Sequence, residues 1–298
     1  MTSISAKLFN VALRLAGLKK NFANEEGARR ALAKDRANGP AKPSKWLQNN
    51  CVIEEEVIDG FLNYHISPKS GESEQRVVYF HGGGYVFDIV KPHWDFLTKL
   101  VQRTGVKLTV PIYPLAPEHD WKASYSVIMK LYDGLIERED SANLVFMGDS
   151  AGGGWSLGLA QMLRDQAKPL PSKLVLLSPW LDGKADDPAM AEIEPNDRII
   201  SLDGIQSMGR WWAGEDGNPG DFPVSPLFAS IDNLPPMIVF TGSHDILHVD
   251  ANRFHQKAKE SGIAIDFHAY PNMQHVWMLF PIKEAKQVID QIVEFLRR

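Results

Sequence analysis

There is one cysteine in the 298 residues, Cys51, so no internal disulfide can close and no Cys/His set has the spacing of zinc ligands. That scarcity fits a reducing compartment, and a cytoplasmic protein is the expectation. Nor is basic charge in excess. The 32 Lys and Arg against 37 Asp and Glu leave -5 at pH 7, with the signs interspersed, which excludes the footprint a nucleic-acid backbone demands. No apolar run reaches the roughly 20 residues of a bilayer-spanning helix. Internal repeats and low-complexity tracts are also missing, which excludes a solenoid.

What remains is an ordinary globular composition, 44% apolar, able to fill one large core. The opening stretch "MTSISAKLFNVALRLAGLKK" reads as a helix rather than an export signal. Lys7, Asn10 and Arg14 interrupt its apolar part, the basic pair follows that part, and no small-residue cleavage pattern comes after it. Ile4, Leu8, Val11, Leu15 and Leu18 recur at helical spacing. We expect this stripe to pack on the rest of the protein, with a membrane-surface anchor as the alternative. Residues 20–50 are polar and helix-compatible, then loop-like, with Pro40 and Pro43 ending the leader.

A hairpin is predicted next, "CVIEEEVI" and "FLNYHISP" joined by Asp59-Gly60. Six further β-rich runs follow: "RVVYF", "KLTVPIY", "NLVFM", "KLVLLS", "MIVFTG" and "AIDFHAY". Most are separated by enough chain for a crossover helix, so the fold class is α/β, with a mostly parallel, doubly wound sheet and helices on both faces. One interval breaks the rhythm. Residues 183–234 are rich in Asp, Pro and Gly but hold the helix-like "SLDGIQSMGRWWAG", and they read as an insertion over one end of the sheet.

Chemistry in such a sheet belongs at the carboxyl ends of the strands. There the run "NLVFM" enters Gly148-Asp149-Ser150-Ala151-Gly152, a G-x-S-x-G, and a helical pattern resumes. A sharp strand-to-helix turn of this kind presents a serine nucleophile and needs neighbours without side chains. A turn filler is the bland alternative, and the motif alone does not exclude it. "RVVYFHGGGYVF" makes it hard to hold. His81-Gly82-Gly83-Gly84 follows a strand directly, and three glycines suit a loop whose N–H groups approach a substrate oxyanion. Gly83, Gly84 and Ala151 are the expected donors, with His81 organising the loop.

A serine needs a base and the base an orienting acid, here expected in the chain order Ser, Asp, His. His275, in the loop after "AIDFHAY", and Asp245, in the loop after "MIVFTG", satisfy that order. His65, His255 and His268 fall inside predicted strands or a helix, and His93 and His119 precede Ser150. His244 and His248 flank the acid loop as alternative bases, and Asp250 and Asp266 are the alternative acids.

HGGG at 81–84, "YPLAPEH" at 113–119, "GDSAGGG" at 148–154, "LLSPW" at 176–180, "SHDIL" at 243–247 and "QHVW" at 274–277 stand in order along the chain. In these the chain resembles the bacterial hormone-sensitive-lipase-like (family IV) carboxylesterases. The resemblance implies an α/β-hydrolase fold with an eight-stranded sheet and a helical cap, made of residues 1–50 and an insertion at 183–222 within a catalytic domain of 51–298. It implies hydrolysis of short- to medium-chain acyl esters, with Glu118 and Asp149 supporting the active-site loops. Pro114, Ile246 and Trp277 depart from the family's usual residues. Neither metal nor organic cofactor is implied, the partner is a small-molecule ester, and "AIDFHAY" could pair two subunits as a homodimer. Tyr85, Phe87, Trp211 and Trp212 are the candidates for lining the substrate pocket, with core packing as their alternative. Two rivals stay open. One is an amidase or peptidase with the same triad; the other is a non-catalytic ligand-binding homologue.

Overall fold

A computed structural model describes residues 2–17, 19–20, 23–70 and 73–298. Along the chain come α1 (Ile4–Ala16), α2 (Glu25–Asn38), α3 (Lys45–Asn50), β1 (Cys51–Ile58), β2 (Phe61–Pro68) and β3 (Arg76–Phe80). Then follow α4 (Lys91–Thr104), β4 (Lys107–Pro111), α5 (Trp121–Arg138), β5 (Leu144–Asp149), α6 (Ala151–Asp165) and β6 (Lys173–Leu177). The rest is α7 (Pro188–Ile193), α8 (Leu202–Ala213), β7 (Met237–Gly242), α9 (His248–Glu260), β8 (Asp266–Tyr270) and α10 (Lys283–Arg297).

The described strands form one eight-stranded sheet in the order β1-β2-β4-β3-β5-β6-β7-β8. β1 and β2 make the expected hairpin, β2 meets β4 antiparallel, and every later pairing is parallel. The fold is the α/β-hydrolase fold. Side chains alternate across a strand, so each parallel strand feeds two cores. Val78, Phe80, Phe146, Leu174, Leu176 and Val239 face the layer holding Tyr132, Trp155 and Phe254. Val77, Tyr79, Val145, Met147, Leu177 and Phe240 face the layer holding Trp94, Leu97, Val288 and Ile292. Strands buried on both sides explain the nearly continuous apolar runs of the sequence.

"SLDGIQSMGRWWAG" becomes α8, where Ser201 caps the helix by accepting from the Gly204 N–H. α8 meets α2 from the other end of the chain, with the Arg29 guanidinium 4.8 Å from the Trp211 ring centroid. α1 differs from expectation. Ile4, Leu8, Val11 and Leu15 are exposed, while Ala6 and Leu13 are buried on the opposite face; Leu18 lies outside the described residues. The physical reason is that the second face fits better. There Phe9 packs on Phe280 with centroids 4.7 Å apart, and the Ser3 N–H and hydroxyl both donate to Glu284 at 2.7 Å.

Phe146 sits at the centre of this arrangement, fully buried on β5 and edge-on to both Phe80 and Tyr132. Phe146→Ala should cost about 3–5 kcal/mol, as truncation of a buried aromatic does. In urea denaturation the midpoint should drop while the slope is unchanged.

Candidate active site

The turn from β5 into α6 holds Ser150 at φ 53° and ψ -121°, a conformation that costs a non-glycine residue energy and so must be imposed by its surroundings. Those surroundings are specific. The Ser150 N–H donates to Leu177 O on β6 at 2.8 Å, and Ser150 O accepts from the Trp180 N–H at 2.9 Å. A Cβ on Gly152 would collide with Phe80 O at the end of β3, so the residue two after the serine must be glycine for α6 to lie this close. With α6 starting at Ala151, the positive end of its dipole lies at the serine.

The loop after β3 is built around Asp149. One oxygen of this buried carboxylate accepts from Tyr79 OH at 2.5 Å and from the Gly82 N–H at 3.0 Å. His93 Nε2 lies 3.4 Å from the other. Burial opposes its ionisation, but His93, Tyr79 and Gly82 outweigh burial and hold its pKa below the usual carboxylate range. Gly83 and Gly84 take φ of 118° and 64°, values that favour glycine. The turn bonds of this loop run from the Val86 and Phe87 N–H groups to Gly83 O, leaving the Gly83 and Gly84 amides outside them.

His81 is wholly buried and stacked on Tyr113, whose OH donates to His81 O at 2.6 Å. Burial, with His93 nearby, pushes its pKa down to about 3, so the ring stays neutral and its place is structural. Glu118 supports the loop at one remove. It binds Arg36 of α2 at 2.9 and 3.0 Å, and Arg36 in turn donates to Val86 O and Ala116 O.

His275 and Asp245 arrive from the loops after β8 and β7. His275 Nδ1 is 2.8 Å from Asp245 Oδ2, and Asp245 Oδ1 accepts from the Leu247 N–H at 3.0 Å. Burial disfavours the charged imidazole. Asp245, with Asp197 and Asp149 beyond it, overcomes that penalty and raises the His275 pKa above its ordinary value. Three of the other histidines are engaged elsewhere: His65 with Glu56 and Thr109, His248 with Thr241 and Asn252, His255 stacked on Phe267. Asp250 is buried in α9 and bound by Arg253 at 2.8 Å, and Asp266 lies on the edge strand β8.

Ser150, His275, Gly83 and Gly84 line one cavity of about 170 Å³. Its remaining wall is mostly apolar: Phe87, Trp180, Ile199, Ile200, Ile205, Met208 and Val276. Of the four aromatic candidates, only Phe87 is among the lining residues. Tyr85 and Trp212 stack on each other with centroids 4.3 Å apart, and Trp211 lies under Arg29. Broad rings here fill the space between sheet and helices, where flat stacking buries more area than a cavity wall does.

Sequence reasoning also missed Asp197. This fully buried carboxylate accepts from the Ile199 and Ile200 N–H groups at 2.8 and 3.0 Å on one oxygen, and from the Ile246 N–H at 3.0 Å on the other. It therefore fastens the cavity wall to the loop of Asp245. Burial and the charge of Asp245 raise its pKa. The apolar pair Ile199-Ile200 inside a polar insertion was a usable signal for the wall; nothing local marked the aspartate.

With this geometry established, comparison places the chain among known proteins. Residues 77–279 match a family described as alpha/beta hydrolase fold. An esterase of Acinetobacter venetianus is 32% identical over 224 residues, covering 74% of each chain. An acetyl-hydrolase of Streptomyces hygroscopicus is 28% identical over 75% of each. Among solved structures, an esterase from the bacterial hormone-sensitive lipase family superposes with a TM-score of 0.82 at 27% identity, covering 100% of this chain and 98% of that one. A strained serine at the end of β5, the Gly83-Gly84 loop lining the same cavity and a family match from β3 to the segment after β8 agree: this chain belongs to the alpha/beta hydrolases, among the bacterial hormone-sensitive-lipase-like esterases, and is an ester hydrolase.

Proposed function

We propose that the chain is a serine carboxylesterase for short- to medium-chain acyl esters, acting through Ser150, His275 and Asp245. The observation that carries this reading is the bond of 2.8 Å between His275 Nδ1 and Asp245, made on the cavity that also holds the strained serine. That bond fixes the imidazole tautomer and leaves Nε2 to take the serine proton. Ser150 Oγ then attacks the ester carbonyl, and the oxyanion is held by the N–H groups of Gly83, Gly84 and Ala151. His275 hands its proton to the leaving alcohol. A water deprotonated by the same ring attacks the acyl-enzyme, the acid departs, and the serine regains its proton. An intact His275–Asp245 pair supports catalysis over a binding-only role, and the esterase and acetyl-hydrolase relatives support ester over amide.

Residues 1–50 and the insertion at 183–222 serve as a cap in this reading, and the insertion supplies the wall from Ile199 to Met208. A cavity of 170 Å³ is smaller than the roughly 300–1,000 Å³ of drug-sized ligand sites, which favours short acyl groups. Asp197 is a positioning residue, since it touches the backbone of wall and acid loop rather than substrate.

Ser150→Ala and His275→Ala should each lower hydrolysis of p-nitrophenyl butyrate by about a thousandfold or more, measured as kcat/KM on folded protein. An unchanged rate in either variant rejects the mechanism.

Because the base must be neutral, kcat/KM should fall as pH drops, with a midpoint above the ordinary 6.5 of histidine given the raised His275 pKa. Asp197→Asn removes a charge that favours the imidazolium and leaves one acceptor oxygen where two are used. Its midpoint should move to lower pH, with kcat/KM reduced by about ten- to a hundredfold; a lower rate with an unmoved midpoint would assign Asp197 a purely structural part.

Met208 abuts Gly84 at the cavity wall. Met208→Ala should shift the acyl-chain optimum towards longer p-nitrophenyl esters, at about 0.8 kcal/mol for each methylene newly accommodated.

A further inference from the structure

The exposed face of α1 is unlike the rest of the surface. Ile4, Leu8, Val11 and Leu15 are 77%, 65%, 55% and 82% exposed, and together they make up half of the large apolar side chains so exposed among the described residues. The others are Val52 and Val57, five residues apart on β1, and the isolated Val90 and Phe228. At about 100° per residue the four α1 side chains fall within roughly 60° of arc, a single continuous stripe. A contiguous apolar patch on a surface marks an interaction site, whereas isolated apolar side chains do not.

Charge indicates the partner. Although the whole chain carries -5, residues 1–24 contain no acid at all; their charges are Lys7, Arg14, Lys19 and Lys20. Lys7 and Arg14 are exposed and flank the stripe on one side, within about 80° of Ile4. Lys19 is occupied, donating to Glu194 O at 2.7 Å, and Lys20 is exposed beyond the helix. Glu284, the acid nearest the helix start, is taken by Ser3 on the buried side. A second copy fits poorly on this surface, because a two-fold contact through the stripe would bring two basic helices together.

We propose that α1 is an interfacial helix that docks the protein on an anionic phospholipid surface. The stripe enters the boundary between headgroups and acyl chains, and Lys7, Arg14 and Lys20 meet the lipid phosphates. The helix is already held for this. Its inner face is anchored to the body by Phe9, Ala6 and Leu13, so docking requires no unfolding. It is also fastened to both loops that shape the catalytic cavity. Asn10 donates to Asn272 O at 3.3 Å in the loop leading to His275, and Lys19 binds Glu194 in the segment leading to Asp197. On the esterase reading, docking brings the site beside esters dissolved in the bilayer; lipid binding itself does not rest on that reading.

The test is co-sedimentation of the full chain with vesicles of phosphatidylcholine alone and of phosphatidylcholine mixed with phosphatidylglycerol, alongside light scattering of the protein without lipid. The wild type should sediment with the anionic vesicles, less with the neutral ones, and be released by high salt. Leu8→Asp/Leu15→Asp should abolish binding while p-nitrophenyl butyrate hydrolysis stays at its wild-type level, which shows that the variant is folded. Lys7→Ala/Arg14→Ala should weaken partitioning onto anionic vesicles by about tenfold or more. Failure of the wild type to bind either vesicle overturns the proposal, as does binding that persists in Leu8→Asp/Leu15→Asp. A wild-type dimer that the Leu8→Asp/Leu15→Asp variant splits, with no vesicle binding, overturns it in favour of a contact between copies.

Discussion

Helix α6 begins so near the end of β3 that a single methyl group on Gly152 does not fit beneath Phe80 O. Much of the site depends on that approach. It forces the chain to reverse direction within one residue after β5, and the residue at the reversal, Ser150, is left at positive φ with its side chain at the strand end. The strain persists because hydrogen bonds from β6 and from the segment after it grip the serine backbone on both sides. The same closeness brings the HGGG loop, which continues β3, alongside the start of α6. Ser150 and the glycines of that loop are thus neighbours through one packing contact between a strand end and a helix start.

Around this contact lie three buried carboxylates whose behaviour is set by what each accepts. Asp149 takes a hydroxyl and an amide and has a histidine beside it, and it stays ionised despite its burial. Asp197 accepts three amides yet is pushed towards protonation, because burial and the nearby charge of Asp245 outweigh those amides and the opposing influence of His275. The summed field of all three favours a protonated His275. On the proposed mechanism that bias stabilises the imidazolium formed as the serine is deprotonated, and its cost is that the free base is scarcer at low pH.

The sheet and the strained turn at Ser150 were legible because each has a local cause. Glycines at 82–84 and 152 answer to backbone collisions or positive φ, and the apolar runs answer to burial on both faces. Loop order alone singled out His275 and Asp245, and the structure bonds the two to each other. The cavity wall was less legible. Tyr85 and Trp212 looked like pocket residues by type, yet their roles are set by Trp155 and Trp180, which stand far off in sequence. Asp197 had no local mark because the one partner that ties it to the site, Ile246, comes from another loop. The face of α1 was misjudged for a related reason: the helix has two apolar sides, and periodicity cannot say which one Phe280 and Glu284 will receive.

On the proposed mechanism, catalytic geometry and substrate selection are built from different materials. The reacting groups hang from ends of parallel strands, where packing fixes position closely. The apolar cavity wall comes largely from the insertion, a stretch of short helices and turns fastened to the body at particular points. One is Asp197, which ties the wall to the triad acid. Another is the α2 contact, through Arg29 on Trp211 and through Arg36, which reaches the loop after Gly84. Since α2 touches both the wall and the oxyanion loop, a change in how the N-terminal helices sit would alter both together. Substitutions in the wall alone can alter preference without disturbing the strained serine, because none of the bonds gripping Ser150 comes from α8 or from Ile199 and Ile200.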